Sequence, residues 1–240
     1  MVNEINQNSP SKGYRRINNQ LRKDTGWSIS NWLVHTVCKS LNIKSKAGRY
    51  SQKNPPGNAH VLYKRLVTNW KAVRPFEKIA SDTTMLKHRG KRYDFTFYID
   101  AYNNEIISYD ICEYSYGVDF QHHIRALKMF CLEKIKRGYK TLETFLHTDQ
   151  GVIYASRAFE KAHSDYTITR SMSRAGTPKD NGLIESVNRW IKAELKYDFK
   201  LDNYDCIHEG MAKYIDYFNN EREVYKLDNK SPVEFRIQQS

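Results

Sequence analysis

The spacing of apolar residues changes character twice along the chain. Near the start it is helical. Ile17 and Leu21 stand four apart within residues 13–23, and Leu33, Val34, Val37, Cys38 and Leu41 mark one face of a helix over 30–41. Asp24-Thr25-Gly26 between them is a turn signal. From residue 79 the pattern becomes β-branched and aromatic. Runs at 79–87, 93–102 and 105–114, separated by Arg89-Gly90 and Asn103-Asn104, predict an antiparallel meander. Helical spacing then returns over 119–136, with Phe120, Ile124, Leu127, Cys131 and Ile135 on one side. A short strand at 144–147, a helix near 156–163, a strand at 166–169 and helices over 181–196 and 204–219 follow. The last of these carries Ile207, Met211, Ile215 and Phe218. Ser231-Pro232-Val233-Glu234 is a capping box with proline at the first helical position.

The resulting order, β-β-β-α-β-α-β-α-α, predicts an α/β fold, a mixed five-stranded sheet with helices on its faces. This is the order of the ribonuclease H-like fold. Residues 1–10, rich in Asn, Gln and Ser, read as a loose start. Two short basic helices joined by a Gly-containing turn fit a helix-turn-helix-like unit, or alternatively a helical hairpin that packs on the body. Residues 44–57, with Pro55-Pro56-Gly57, read as a basic linker able to follow a phosphate backbone. The division expected is 1–43 for a helical DNA-binding region, 44–75 for a linker and 76–240 for the catalytic core.

Charge sharpens that division. The net charge is +12. Residues 1–75 hold 14 Lys+Arg against 2 Asp+Glu, and residues 76–240 hold 25 of each. The whole excess lies in the first third, which suggests a polyanion-binding arm joined to a body with other work; nucleic acid is the default partner. No apolar run is long enough for a membrane span, and the first thirty residues lack the apolar core of a signal peptide. Cys38, Cys112, Cys131 and Cys206 form no CxxC pair and have no histidines at zinc spacing, so they read as free thiols of a reducing cytosol.

The chemistry is carried by carboxylates. Asp82 lies in the first strand, Asp149 just past the fourth, and Glu185 in the first turns of the long helix. Three carboxylates without thiol or paired-histidine ligands suit a hard cation, Mg²⁺ or Mn²⁺. Two such ions flanking a phosphodiester activate the attacking oxygen and stabilise the leaving one. On the long helix Glu185, Arg189, Lys192 and Lys196 fall within about 60° of one another, and Ile184, Val187, Ile191 and Leu195 form a second stripe. The charged stripe reads either as a row that tracks phosphates or as a solvated face with Glu185 paired to Arg189. Arg15 and Arg16 are further phosphate candidates, as are Arg174 and Lys179. Asp100 reads as a strand-end residue, His147 as structural, Asp180 and Asn181 as caps of the long helix, and Asp198, Asp202 and Asp205 as a solvated turn.

Local words carry a resemblance. PFEKIASDTT at 75–84, YIDAYNNEIIS at 98–108, HTDQG at 147–151, DNGLIESVNRWIKAE at 180–194, YIDYFNN at 214–220 and SPVEFR at 231–236 resemble, in order, the core of bacterial insertion-sequence transposases of the IS-three family. GYRRINNQL at 13–21 resembles the segment that precedes that core. The chain differs from the family pattern in lacking a Trp before Asp82, in Gln150, and in Val187-Asn188 where Phe-Phe is usual. The resemblance implies a D,D,E triad of retroviral-integrase type at Asp82, Asp149 and Glu185, holding two Mg²⁺ for DNA cleavage and strand transfer. It also implies DNA and a second copy of the chain as partners, fusion to an upstream-frame product, and a place at the nucleoid in the bacterial cytoplasm. A DNA-binding regulator without catalysis and a ribonuclease H-like nuclease are the alternatives.

Overall fold

A computed structural model describes residues 1–47, 62–114, 121–174 and 177–239. The strands are β1 (Lys78–His88), β2 (Lys91–Asp100), β3 (Ile106–Glu113), β4 (Thr144–Thr148) and β5 (Ile168–Met172). The helices are α1 (Val2–Asn8), α2 (Tyr14–Thr25), α3 (Asn31–Ser40), α4 (Gln121–Lys136), α5 (Arg157–Ala162), α6 (Gly182–Tyr197), α7 (Ile207–Asn220) and α8 (Pro232–Gln238). One sheet runs in the order β3-β2-β1-β4-β5. The β1–β2 and β2–β3 pairs are antiparallel, and β4 is parallel to both β1 and β5. The mixed five-stranded sheet expected from the element order is present. The β1–β2 hairpin closes through Arg89 and Gly90, both at positive φ (47° and 80°), which suits a two-residue turn and favours glycine at the second position.

Side-chain alternation along the strands divides the core in two. On one face Ala80, Phe95, Phe97 and Ile99 pack against Ile184, Val187, Ile191 and Leu195 of α6 and Met211, Tyr214 and Phe218 of α7. On the other, Ile79, Tyr98 and Leu146 meet Leu127, Phe130 and Cys131 of α4 and Phe159 of α5. The apolar stripes predicted for α6 and α7 are the buried ones. Of the face expected on α4, Leu127 and Cys131 are buried, but the buried face is wider and turned to one side of it. His122, His123, Ala126, Phe130 and Lys134 are buried, whereas Ile135 is exposed. His123 Nδ1, 3.2 Å from Thr96 Oγ1, and Lys134 Nζ, donating to the Thr167 carbonyl (2.9 Å), are polar groups that periodicity counts as outward-facing and that find partners under the sheet. Phe120 lies outside the described residues.

The N-terminal helices form a small third cluster around Ile17, Leu21, Val34 and Cys38. Residues 2–8 are helical rather than loose, because Val2 and Ile5 dock on that cluster. Of the face expected on α3 only Val34 and Cys38 are buried; Leu33 and Leu41 stay exposed. Most of the linker expected at 44–57 lies outside the described residues. Residues 62–75 lie against the core: the backbone N–H groups of Leu66 and Val67 donate to Ser171 Oγ on β5, and Trp70 meets His147 edge-on.

Candidate active site

Asp82 and Asp149 are brought together by the parallel pairing of β1 with β4. Ala80 stands opposite His147 in that register, so carrying it two residues further sets Asp149 beside Asp82. Asp82 shares the sheet face of Ala80, the face covered by α6. The carboxyl is pushed up to about 7 by its burial and by the Asp149 charge, offset by hydrogen bonds from the Thr83 backbone and Asn188 and by the Lys192 charge. Asp149 is raised too, by burial, against the N–H of Gly151 donating to its Oδ1 at 2.9 Å. A Cβ at residue 151 would sit 2.9 Å from that oxygen, so glycine is what allows the turn to close on the carboxylate.

Helix α6 supplies the rest. Asn188 Nδ2 donates to Asp82 Oδ2 at 2.7 Å. That bond sets the 185/188/192 face of α6 over Asp82. Glu185, three residues earlier, lies only ~4.5 Å back along the axis. Its side chain is exposed; burial raises its carboxyl and the Arg189 charge lowers it. Arg189 is half-buried, while Lys192 and Lys196 are exposed, Lys196 lying over the Tyr197 ring. Among the described residues no three His, Cys, Asp or Glu side chains are grouped to hold one ion. Asp82 and Asp149 are adjacent, and Glu185 is not yet with them. Burial makes both carboxylates harder to ionise, and the Asp149 charge adds to the effect on Asp82; a hard divalent cation would relieve this, and the oxygen donors fit Mg²⁺ or Mn²⁺.

The two arginines of α2 part company. Arg15 is exposed and stacks over Tyr14 and Tyr225. Arg16 is turned inward: its guanidinium binds buried Glu194 of α6 at 2.6 Å and takes the Tyr217 hydroxyl at 3.1 Å. Arg222 and the Tyr214 hydroxyl complete the cluster around Glu194. Burial alone would raise Glu194, but Arg222 and Arg16 outweigh it and hold the carboxyl below its usual range. With Ser11 bonding Asp198 and Lys23 pairing with Glu223, this cluster fastens the N-terminal helices to the core.

Asn181 is the N-cap residue of α6, as expected, but its side chain makes no capping hydrogen bond, and Asp180 lies one residue outside the cap. Asp180 instead receives Arg174 through both carboxylate oxygens and Arg65 at 3.3 Å, tying residues 62–75 to the approach to α6. Asp198 and Asp202 are likewise bonded rather than free in a turn, Asp198 to Ser11 and Asp202 to the Arg89 backbone. Asp100 accepts from the Phe76 and Tyr102 backbones, as a strand-end residue does. His147 accepts from or donates to Ser171 Oγ and is pushed down to about 4 by burial, then by Arg65; its role is structural. Of Lys179 only the backbone is described.

Two family models, both described as Integrase core domain, match residues 72–178 and 166–232. The chain is similar to the "Putative transposase InsK for insertion sequence element IS150" of Escherichia coli (strain K12), 29% identical over 247 residues, 99% of this chain and 82% of that protein. Among solved structures, a chain of the simian T-cell lymphotropic virus intasome in complex with PP2A regulatory subunit B56 gamma overlays with a TM-score of 0.56 at 18% identity, covering 90% of this chain and 73% of the other. The HTLV-2 integrase catalytic core domain in complex with magnesium gives 0.51 at 17% identity, over 69% and 99%. These overlays establish the ribonuclease H-like fold.

Proposed function

We propose that this chain, which belongs to the bacterial insertion-sequence transposases with an integrase core domain, cuts DNA at the ends of its element and joins the freed 3′-hydroxyl to target DNA. The observation that carries the reading is the adjacent Asp82–Asp149 pair, under-supplied with positive charge and covered by α6 through Asn188. Asp82 and Asp149 hold their oxygens toward the reacting phosphodiester, and Glu185 completes the set by swinging in from the preceding turn of α6. Bound divalent cations, Mg²⁺ with Mn²⁺ as a substitute, supply the positive charge that activates the attacking oxygen and neutralises the leaving one. Water attacks the phosphorus at the element end, the bond to the 3′-oxygen breaks, and that 3′-hydroxyl then displaces a second 3′-oxygen in the target.

Arg189, Lys192 and Lys196 continue the stripe from Glu185 and align the flanking phosphates. Residues 1–43 grip the element end through Arg15 and the exposed Trp27 and Trp32, and Arg16 transmits their position to α6 through Glu194. The protein works at the nucleoid in the bacterial cytoplasm as an oligomer on DNA, since two ends must be held at once, and is completed by fusion to an upstream-frame product. A joining assay on a plasmid with the element's own ends and Mn²⁺ tests the reading. The wild type is expected to nick and join; Asp149→Asn is expected to bind the ends and do neither. Cleavage by that variant would refute the assignment.

A further inference from the structure

We propose that Asn188 is the positioning residue for Asp82, a role resting on the metal-dependent reading above. The two residues are 106 positions apart in sequence, and the contact is a single 2.7 Å bond between the amide nitrogen and one carboxylate oxygen. With Asp82 ionised, the form that holds a cation, its Oδ2 accepts and the donating amide nitrogen faces it. Asp82 sits mid-strand with its backbone paired to Phe97 in β2, two residues beyond the last pair of β1 with β4. What remains free is the rotation of the carboxyl group itself. Asn188 removes that freedom and stabilises the anion, the form a cation needs.

The other end of the amide points the same way. Asn188 Oδ1 is buried and has no hydrogen-bond partner among the described residues. A buried acceptor beside an acidic pair suits the hydrogen atoms of a hydrated cation; other asparagine oxygens are also unbonded, those of Asn18 and Asn104 among them, so it is the place of this one beside Asp82 that gives it meaning. A phenylalanine, usual here in the family, can do neither job. In this chain α6 therefore reaches the first acid by hydrogen bonding, and Lys192, one turn on, adds only through-space charge. Groups that orient metal-bound carboxylates typically cost ten- to hundredfold in metal affinity when removed.

The test is a Mn²⁺ titration of the full chain by calorimetry and by electron paramagnetic resonance of free Mn²⁺, with melting temperature measured without metal. The wild type, Asn188→Leu, Asn188→Ala, Asn188→Gln and Asp149→Asn are compared. Asn188→Leu is expected to weaken Mn²⁺ binding about ten- to hundredfold, with its metal-free melting unchanged, and Asn188→Gln to recover part of the affinity. If the leucine variant does not fold, the alanine variant decides. Wild-type affinity in both folded variants would overturn the role of Asn188 while leaving the metal reading intact. A wild type indistinguishable from Asp149→Asn would overturn both.

Discussion

Helix α6 touches two acidic centres, Glu194 on the helix itself and Asp82 on β1 through Asn188, and they are built in opposite ways. Glu194 is 1% exposed, yet its charge is matched by Arg16, Arg222 and Tyr214, and its carboxyl is held low. Asp82, on the sheet face that α6 covers, receives one amide, one backbone N–H and a distant lysine, lies beside a second aspartate, and is pushed up to about 7. The protein completes one carboxylate with its own cations and leaves the other short. Burial is common to both, so burial does not distinguish them; the missing counter-charge does, and it is what the proposed function rests on.

The comparison is broken most directly from the Glu194 side. Glu194→Ala leaves Arg222, 3% exposed, without its partner and is expected to cost about 3–5 kcal/mol in urea unfolding. A loss below 1 kcal/mol would mean that the cluster is not what fastens the helices. Gly151→Ala is milder. Its methyl would meet Asp149 Oδ1 at 2.9 Å and turn that carboxylate aside. Joining should fall about tenfold or more while the melting temperature moves little, and an unchanged rate would show that the turn is slack.

pH sharpens the same contrast. Asp82 releases its proton near 4 when unfolded and at about 7 when folded. Between those values the folded state binds the extra proton, so stability falls as pH rises and the full penalty stands above 7. Asp82→Asn removes that penalty. Its advantage over the metal-free wild type should grow by on the order of 1 kcal/mol per pH unit across the window. His147 and His163, pushed down to about 4 by burial, drive stability the other way but cancel in the difference. A flat difference would show that the pair carries no unmatched charge. Smallest is Lys192→Ala, which should reduce the salt dependence of end binding by about one charge; an unchanged slope would remove Lys192 from the DNA contacts.

The five strands, the mixed sheet and the places of Asp82 in the first strand and Asp149 just past the fourth are legible in sequence, because β-branched and aromatic runs and the turns between them are local signals. Asn188 is not. A lone asparagine in a helix has no periodic signature, and its meaning lies in a strand 106 residues away. Arg16 misleads for the same reason. Its basic neighbours suggest phosphate, whereas its partner lies 178 residues on. Residues 2–8 look loose because only Val2 and Ile5 dock, and two side chains are too few to set a pattern. What sequence hides here is pairing across distance, and the contrast between matched and unmatched acids consists of such pairings.

Glu185 is where that contrast is most exposed to disproof, since it joins Asp82 and Asp149 only on the proposed reading. The decisive measurement is single-turnover joining of element ends by the full chain with Mn²⁺, comparing the wild type with Glu185→Gln. Losing one metal-holding carboxylate removes several kcal/mol of transition-state stabilisation, about 10³-fold in rate. The account predicts that loss with end binding unchanged. Joining by Glu185→Gln within tenfold of the wild type would contradict it.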